Sequence, residues 1–349
     1  MTRRPTSADV ARRAGVSRTA VSLVLNGRDS GNISAENAAR IHAAAAELGY
    51  LPNSAAVNLR RRSTATIGIV TDEITQSPFA GHLLQGAREA AFERGFVTIV
   101  ADYGNDAARE ETLVQTLRAR QVDAFLHAAM SMRAYTPPTQ MLELPTVLAN
   151  CFSATGPAGV LADEEQGGYL AAQAVFAQGH RRVVMLAGVD EPAEGRPARN
   201  PATEHRVRGF ERAAAEAGAT QAPVIDAGWQ IGDGVHGATQ VLDAPASQRP
   251  TAIVAARDRV AVGVILAAAR LGLRVPEDLS VVGYDDESQV AAGMVPALTT
   301  VDLPHHHIGR QAMQTLLAHL LDDTPLPESD ILVPCRLVVR ESVGPAPSR

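Results

Sequence analysis

The chain has 349 residues, of which 46% are hydrophobic and 20% charged, and its formal net charge is −6. This length allows more than one buried core. No segment approaches the roughly 20 apolar residues of a membrane helix, and no apolar signal-peptide core begins the chain. The two cysteines, Cys151 and Cys335, do not imply a disulfide framework, so we expect a reducing, cytoplasmic location.

Charge is unevenly distributed along the chain. The first 64 residues hold ten arginines and four acids, whereas the remainder holds 22 arginines and 34 acids. A basic segment gains counterion-release free energy on a phosphate backbone, and an acidic body is kept away from it. The N-terminal segment is therefore expected to bind nucleic acid.

Residues 6–26 predict two short amphipathic helices joined by a glycine turn. Thr6 and Asp9 have capping-box spacing, and Gly15 permits the left-handed turn that ends the first helix. Ser17 can cap the second helix. This pattern is typical of a helix-turn-helix DNA reader, and the alternative is an ordinary helical hairpin in a core.

A third helix is predicted from Ala35 to Leu48, with Ser34 as its N-cap and Gly49 just past its end. The segments DVARRAGVS, AVSLVLNG, AAELGYLPN and 53–62 resemble, in order and spacing, the LacI/GalR family of bacterial repressors. The resemblance implies three parts, listed as a helix-turn-helix DNA-binding domain (1–52), a hinge helix and linker (53–64), and an effector-binding and dimerisation core (65–349).

The side chains expected to contact DNA lie in the head and the hinge. In the head they are Thr6, Ser17, Arg18, Thr19, Ser22 and Asn26; in the hinge, by resemblance, they are Asn53, Ala56 and Leu59. Leu59 is then the apolar wedge in the minor groove. Leu23 departs from the family, since many members carry Arg there. The hinge is too short to be a stable isolated helix, so we expect it to fold when two copies meet on DNA.

One reading helix covers only a few base pairs, so specific binding calls for a homodimer on a pseudo-palindromic operator of double-stranded DNA. The chain lacks a leucine-rich heptad tail. We therefore do not expect a tetramer built on such a tail.

After residue 65 the sequence alternates between β-rich runs and helical stretches. The first series comprises 66–70, 80–94, 96–100, 107–119 and a strand from 122; the second comprises 183–188, 203–217, 223–227, 234–243, 251–256, 259–271 and 279–286. Alternation of this kind predicts an α/β fold of doubly wound parallel sheets. Two series predict two lobes, and the resemblance implies a core like that of periplasmic sugar-binding proteins, with crossovers near 160, 291 and 325.

Loops at the carboxyl ends of parallel strands are where an effector is expected to bind. By resemblance, the effector-binding residues are Ser77, Phe79, Asn150, Asp163, Arg206, Trp229, Arg257 and Asp285. Alternatives remain open, because Phe79 and Trp229 could be core aromatics, Asp285 a helix cap and Arg206 a surface ion-pair partner.

Carboxylates, a guanidinium and flat aromatics together suit a polyhydroxylated effector such as a sugar or sugar derivative. Arg257 replaces an Asn frequent in the family, which makes an acidic effector more plausible. The long loop from Gly188 to Ala202 is expected to border the cleft. The sequence is compatible with an effector that acts as an inducer and with one that acts as a corepressor.

The sequence gives little support to an enzymatic function. The run His305, His306 and His307 has no accompanying HxxxH or CxxC pair, so neither a metal nor a cofactor is expected. The GxSxG and GxxxxGKS motifs are missing from the sequence. The competing hypothesis is a cytoplasmic solute-binding module, or a sugar-converting α/β enzyme, with a vestigial DNA-binding head.

Overall fold

The computed structural model describes residues 5–25, 33–50, 63–74, 79–189, 200–219, 222–287 and 289–347. The chain forms two compact units, Met1–Thr64 and Ala65–Arg349. In the described ranges, no helix is both long enough and apolar enough to cross a membrane.

The first unit contains three helices in its described part: α1 (Ser7–Ala14), α2 (Arg18–Leu25) and α3 (Ala35–Leu48). The predicted capping box is confirmed, because the Thr6 hydroxyl accepts from the Asp9 amide and the Asp9 carboxylate accepts from the Thr6 amide at 2.9 Å. Gly15 and Gly49 both have positive φ, at 68° and 61°, where a Cβ would be strained. Local chemistry therefore sets the ends of α1 and α3.

The second unit alternates strands and helices as predicted. Its strands are β1 (Thr66–Thr71), β2 (Val97–Asp102), β3 (Ala124–Ala128), β4 (Thr146–Ala149), β5 (Gly159–Ala162), β6 (Val183–Gly188), β7 (Val224–Ala227), β8 (Ala252–Ala255), β9 (Ser280–Asp285), β10 (Thr299–Asp302), β11 (Ile331–Val333) and β12 (Arg336–Val338). Its helices are α4 (Ala80–Glu93), α5 (Ala107–Ala119), α6 (Glu164–Phe176), α7 (Pro201–Glu216), α8 (Ile231–Leu242), α9 (Asp258–Arg270) and α10 (His305–Asp322).

Within the described ranges the strands form two six-stranded sheets, one in each lobe. The order is β11-β5-β4-β3-β1-β2 in the N-terminal lobe and β12-β10-β9-β8-β6-β7 in the C-terminal lobe. Pairing is parallel except between β10 and β12. The α/β doubly wound fold of two lobes is confirmed.

The chain passes between the lobes after β5, after β10 and between β11 and β12. The crossings expected near 291 and 325 are therefore corrected to residues after 302 and after 333. The physical reason is strand pairing: β10 extends the second sheet beside β9 before the chain leaves it, and β11 pairs with β5 before the chain returns.

Helix α10 packs closely on α4 at the N-terminal lobe. Gly86 and Gly309 allow this approach, because a Cβ at either position would collide with the backbone carbonyl of His306 or Leu83. The contact fixes the first turn of α10, and hence His305, next to the space between the lobes.

Candidate functional site

The N-terminal turn of α2 presents the side chains expected to read DNA. Arg18 and Thr19 are exposed, and Ser22 is half-buried on the same helix. Ser17 caps the helix, since its hydroxyl accepts from the Ala20 amide at 3.1 Å. Thr6 is exposed and serves as the N-cap of α1. The predicted contacts Asn26, Asn53, Ala56 and Leu59 lie outside the described residues.

A cavity of about 870 Å³ lies between the lobes of the second unit. Its lining from the N-terminal lobe and the crossing after β10 consists of Asp72, Glu73, Phe79, Asn105, Met130, Ser131, Met132, Arg133, Ala134, Tyr135, Thr136, Asn150, Leu303 and His305. The C-terminal lobe contributes Glu164, Asn200, Pro201, Ala202, Arg206, Trp229, Gln230, Arg257 and Asp285. This volume falls in the range of small-molecule sites.

Arg206 of α7 is buried at one wall of this cavity. Its Nε and Nη2 donate to the two carboxylate oxygens of Glu164 at 2.8 and 3.0 Å, and its Nη1 donates to the Ala256 carbonyl at 2.6 Å. Its guanidinium also lies 3.8 Å from the centre of the Tyr284 ring. Burial acts to lower the pKa of Arg206, but Glu164, Tyr284 and Asp285 together raise it. The guanidinium of Arg206 is therefore a fixed, buried cation. Its burial excludes the alternative that Arg206 is a surface ion-pair partner.

Asp285 ends β9 and faces two guanidinium groups. Its Oδ1 lies 3.6 Å from Arg206 Nη1. Its Oδ2 lies 3.2 Å from Arg257 Nε, but this second contact lacks the geometry of a hydrogen bond. Burial raises the pKa of Asp285 to about 6, although both arginines oppose that shift. Asp285 has φ 107°, and Asn150, at the end of β4, has φ 59°. Both residues thus hold a rare backbone conformation at the cavity, a feature common in ligand sites.

Aromatic rings form further parts of the cavity wall. Phe79 is stacked on His305, with ring centroids 4.8 Å apart and planes inclined by 9°. Trp229, on the loop after β7, lies against Gly188, where a Cβ would overlap its ring. Both Phe79 and Trp229 are half-buried cavity residues rather than core aromatics.

The structure corrects the prediction for Asp163. Its Oδ1 accepts from the Gln166 amide at 3.0 Å and so caps α6, whereas the next residue, Glu164, turns into the cavity. The reason is that the unpaired N–H groups of a helix start attract the capping carboxylate. Ser77 lies outside the described residues, as do positions 190–199 of the loop predicted to border the cleft. The end of that loop, at Asn200–Ala202, does line the cavity.

Several residues that line the cavity were not predicted from the sequence. Asp72 directly follows β1, and Arg133 lies on the loop after β3, so the rule of strand-end loops could have found both. Glu164 directly follows Asp163, which was predicted to bind the effector. His305 belongs to the histidine run for which no metal is expected, but burial lowers its pKa to about 3 and its neutral ring lines the cavity.

Comparison with known proteins finds two family models that match this chain. Residues 6–53 match the model of bacterial regulatory proteins of the lacI family, and residues 172–343 match a periplasmic binding protein-like domain. The chain is 31% identical to the ribose operon repressor of Haemophilus influenzae over 97% of its own length and 98% of that protein. It is 30% identical to the HTH-type transcriptional repressor PurR of Pectobacterium atrosepticum, over 98% and 97% of the two chains.

Two solved structures of transcriptional regulators are also similar to this chain. The transcriptional regulator CelR in complex with cellobiose is 30% identical, covers 97% of this chain and 100% of its own, and has a TM-score of 0.64. The lac repressor dimer bound to operator has a TM-score of 0.76 over 98% and 100% of the two chains, but at 24% identity this likeness shows the fold alone.

A helix-turn-helix unit followed by a two-lobed α/β unit with a cavity between its lobes defines a DNA-binding transcriptional regulator. The chain belongs to the LacI family of bacterial regulatory proteins. Members of this family act as transcriptional regulators rather than as enzymes.

Proposed function

We propose that this regulator is a repressor whose operator affinity is controlled by a sugar or sugar derivative bound between the two lobes. One observation carries the proposal: a cavity of about 870 Å³ brings two aromatic faces, Phe79 and Trp229, together with the charged residues Arg206, Arg257 and Asp285. Aromatic faces stack on a sugar ring, and these charged groups donate to and accept from its hydroxyls.

The relatives support both parts of the proposal, repression of transcription and a carbohydrate effector. Two are named as repressors of transcription, and one solved relative at 30% identity is a complex with cellobiose. These names belong to those proteins, and the effector of this chain is inferred from its own cavity. The residues proposed to contact it are Phe79, Asn150, Arg206, Trp229, Arg257 and Asp285, with Ser77 as a further candidate by resemblance.

In the head, the proposed DNA contacts are the exposed first turn of α2 and the hinge. Arg18 and Thr19 are available for base edges or phosphates in the major groove. Leu59 is proposed to enter the minor groove at the operator centre. A regulator that binds chromosomal operators acts in the cytoplasm.

A homodimer is proposed because two half-sites are needed for specific operator affinity. Strand β2 is an edge of the first sheet and exposes the apolar side chains of Val97 and Val100, and Phe92 is exposed at the end of α4. Exposed apolar side chains at one edge support a subunit interface there.

Control of DNA binding requires the effector to bind two states of the protein unequally. Closure of the lobes around the effector would change the arrangement of the paired hinges and therefore the operator affinity. Linkage demands that operator DNA change the effector affinity by the same factor.

The test is a fluorescence-anisotropy titration of labelled DNA from upstream of the gene, with scrambled DNA as the control, across a salt series and with a panel of sugars and sugar acids. Sequence-selective binding that one compound alters is the expected result. Binding equal to that of scrambled DNA in every condition contradicts an operator in this DNA and reopens the solute-binding alternative.

The hinge has its own variant in this experiment. Leu59→Ala should weaken operator binding by more than about tenfold, because the apolar contact in the minor groove is lost, and should leave effector affinity nearly unchanged. An unchanged operator affinity removes the wedge role from Leu59.

A further inference from the structure

The charges around the cavity are closely balanced. The described lining holds four carboxylates, of Asp72, Glu73, Glu164 and Asp285, and three guanidinium groups, of Arg133, Arg206 and Arg257. Each guanidinium lies within 3.6 Å of a carboxylate oxygen. An anionic effector would therefore have to compete with these carboxylates for the arginines, and it would also meet one excess negative charge.

The N-terminal lobe contributes one of these ion pairs, Asp72 with Arg133. The Asp72 carboxylate is almost fully buried, and its Oδ1 accepts from the Met130 amide at 3.0 Å. Its Oδ2 lies 3.0 Å from Arg133 Nη2. The carboxylate is thus anchored to the loop after β3, and it holds the guanidinium at the cavity wall.

Two further contacts fix the orientation of Arg133. Its Nη1 donates to Asn105 Oδ1 at 2.9 Å, and its Nη2 donates to the Tyr103 hydroxyl at 2.6 Å. The side chain is 29% exposed and lines the cavity. A guanidinium has five N–H donors, so these contacts leave donors for an effector hydroxyl.

Behind Arg133 lies a buried polar cluster. Tyr103 Oη is 3.3 Å from His127 Nε2, and the His127 ring stacks on Tyr135 with centroids 3.6 Å apart. The Tyr135 hydroxyl donates to Glu110 at 2.5 Å. Burial, together with Arg133, lowers the pKa of His127 to about 3, so this imidazole is neutral and adds no positive charge to the site. The cluster supports a rigid, pre-organised contact.

We propose that the Asp72–Arg133 pair is the specificity-determining contact of the N-terminal lobe, and that it selects an uncharged polyhydroxylated effector against carboxylate or phosphate forms of the same sugar. Asp72 accepts from one hydroxyl and Arg133 donates to another. This inference rests on the proposed effector site and makes it more specific. It also reverses the expectation that Arg257 favours an acidic effector, because Arg257 is paired with Asp285.

The experiment uses the intrinsic fluorescence of Trp229, which is the single tryptophan of the chain and lines the cavity. The full-length protein is titrated with matched probes: D-glucose, D-glucuronate and D-glucose 6-phosphate, and D-ribose and D-ribose 5-phosphate. Wild type should bind a neutral member at least about tenfold more tightly than its charged partners. Tighter binding of a charged member overturns the proposal.

The decisive variant is Asp72→Asn, which frees Arg133 and keeps an acceptor for the Met130 amide. It should bind at least one charged probe about tenfold more tightly than wild type does. The matched control is Glu73→Gln, which removes the same charge from the same cavity but leaves the Asp72–Arg133 pair intact. It should change these affinities by less than about threefold.

Equal affinity of wild type and Asp72→Asn for the charged probes, including undetectable binding by both, overturns the proposal. An equal gain in Glu73→Gln overturns it too, because the effect would then be one of net charge. Operator binding is measured in parallel on the same proteins. A protein that binds its operator but prefers a charged effector refutes this inference alone, whereas loss of every ligand effect on operator binding refutes the proposed function.

Discussion

Arg206 and Glu164 form a buried ion pair with two parallel hydrogen bonds, of 2.8 and 3.0 Å, between helices α7 and α6. Glu164 also accepts from the Tyr284 hydroxyl at 2.7 Å, and Tyr284 lies on β9 next to Asp285. A planar guanidinium held in this way has little freedom to rotate. The pair therefore fixes the wall of the cavity on which the effector is proposed to bind.

Glu164→Gln should lower the free energy of unfolding by about 3 kcal/mol, because it leaves Arg206 buried without its main counter-charge. Denaturant unfolding followed by circular dichroism measures this loss. The matched control is Glu165→Gln, whose carboxylate pairs with exposed Arg208 and Arg212 and should cost less than about 1 kcal/mol. Equal losses in the two variants would contradict a stabilising role specific to the buried pair.

Arg206→Lys should abolish the response of operator binding to the effector and leave operator affinity in its absence unchanged. Lysine keeps the positive charge but cannot make the two parallel hydrogen bonds. Anisotropy titrations with and without the active sugar measure both quantities, and Arg208→Lys, at an exposed position of the same helix, is the control. A normal response in Arg206→Lys would remove Arg206 from the effector site.

Effector affinity should depend on pH through Asp285, whose pKa burial raises to about 6. As the pH falls from 7 to 5, Asp285 becomes protonated and loses its strength as an acceptor, so the affinity for a neutral sugar should decrease. His305, with a pKa lowered to about 3, does not titrate in this window. Trp229 fluorescence titrations at several pH values test this, and the affinity of Asp285→Asn should not change across the same window.

The same carboxylate should affect stability in the opposite direction. Its pKa in the folded protein, about 6, exceeds the ordinary aspartate value of 3.8, so the folded state binds the proton more tightly. By linkage, the contribution of Asp285 to stability decreases as the pH rises from about 4 to 7, by no more than about 3 kcal/mol. Unfolding of wild type relative to Asp285→Asn over this range measures it, and a difference that stays constant with pH would contradict the shifted pKa.

Val100→Asp should weaken the proposed dimer, because it places a charge among the exposed apolar side chains of edge strand β2. Sedimentation velocity over a concentration series should show a dissociation constant raised by at least about tenfold. Leu332→Asp, on the opposite edge strand β11 of the same sheet, is the matched control and should leave association unchanged. Equal effects of the two changes would place the interface elsewhere.

Features set by neighbours in sequence could be predicted from the sequence. The capping box of Thr6 and Asp9, the αL residues Gly15 and Gly49, and the alternation of strands and helices depend on contacts within a few residues, and the structure confirms them. Local hydrogen bonding and hydrophobic periodicity carry this information in the chain itself. The doubly wound sheets follow from the alternation, because parallel strands need helical crossovers.

The partners across the cavity were decided by tertiary structure. Asp163 and Glu164 are adjacent carboxylates, and only the start of α6 determines that the first caps the helix and the second pairs with Arg206. Asp72 and Arg133 are brought together because β1 and β3 are neighbours in the sheet. Periodicity determines which face a residue occupies, but the packing of distant segments determines which charge it meets. For that reason the sequence by itself identified the family and the elements of this protein, whereas the charge balance of its cavity emerged only from the folded structure.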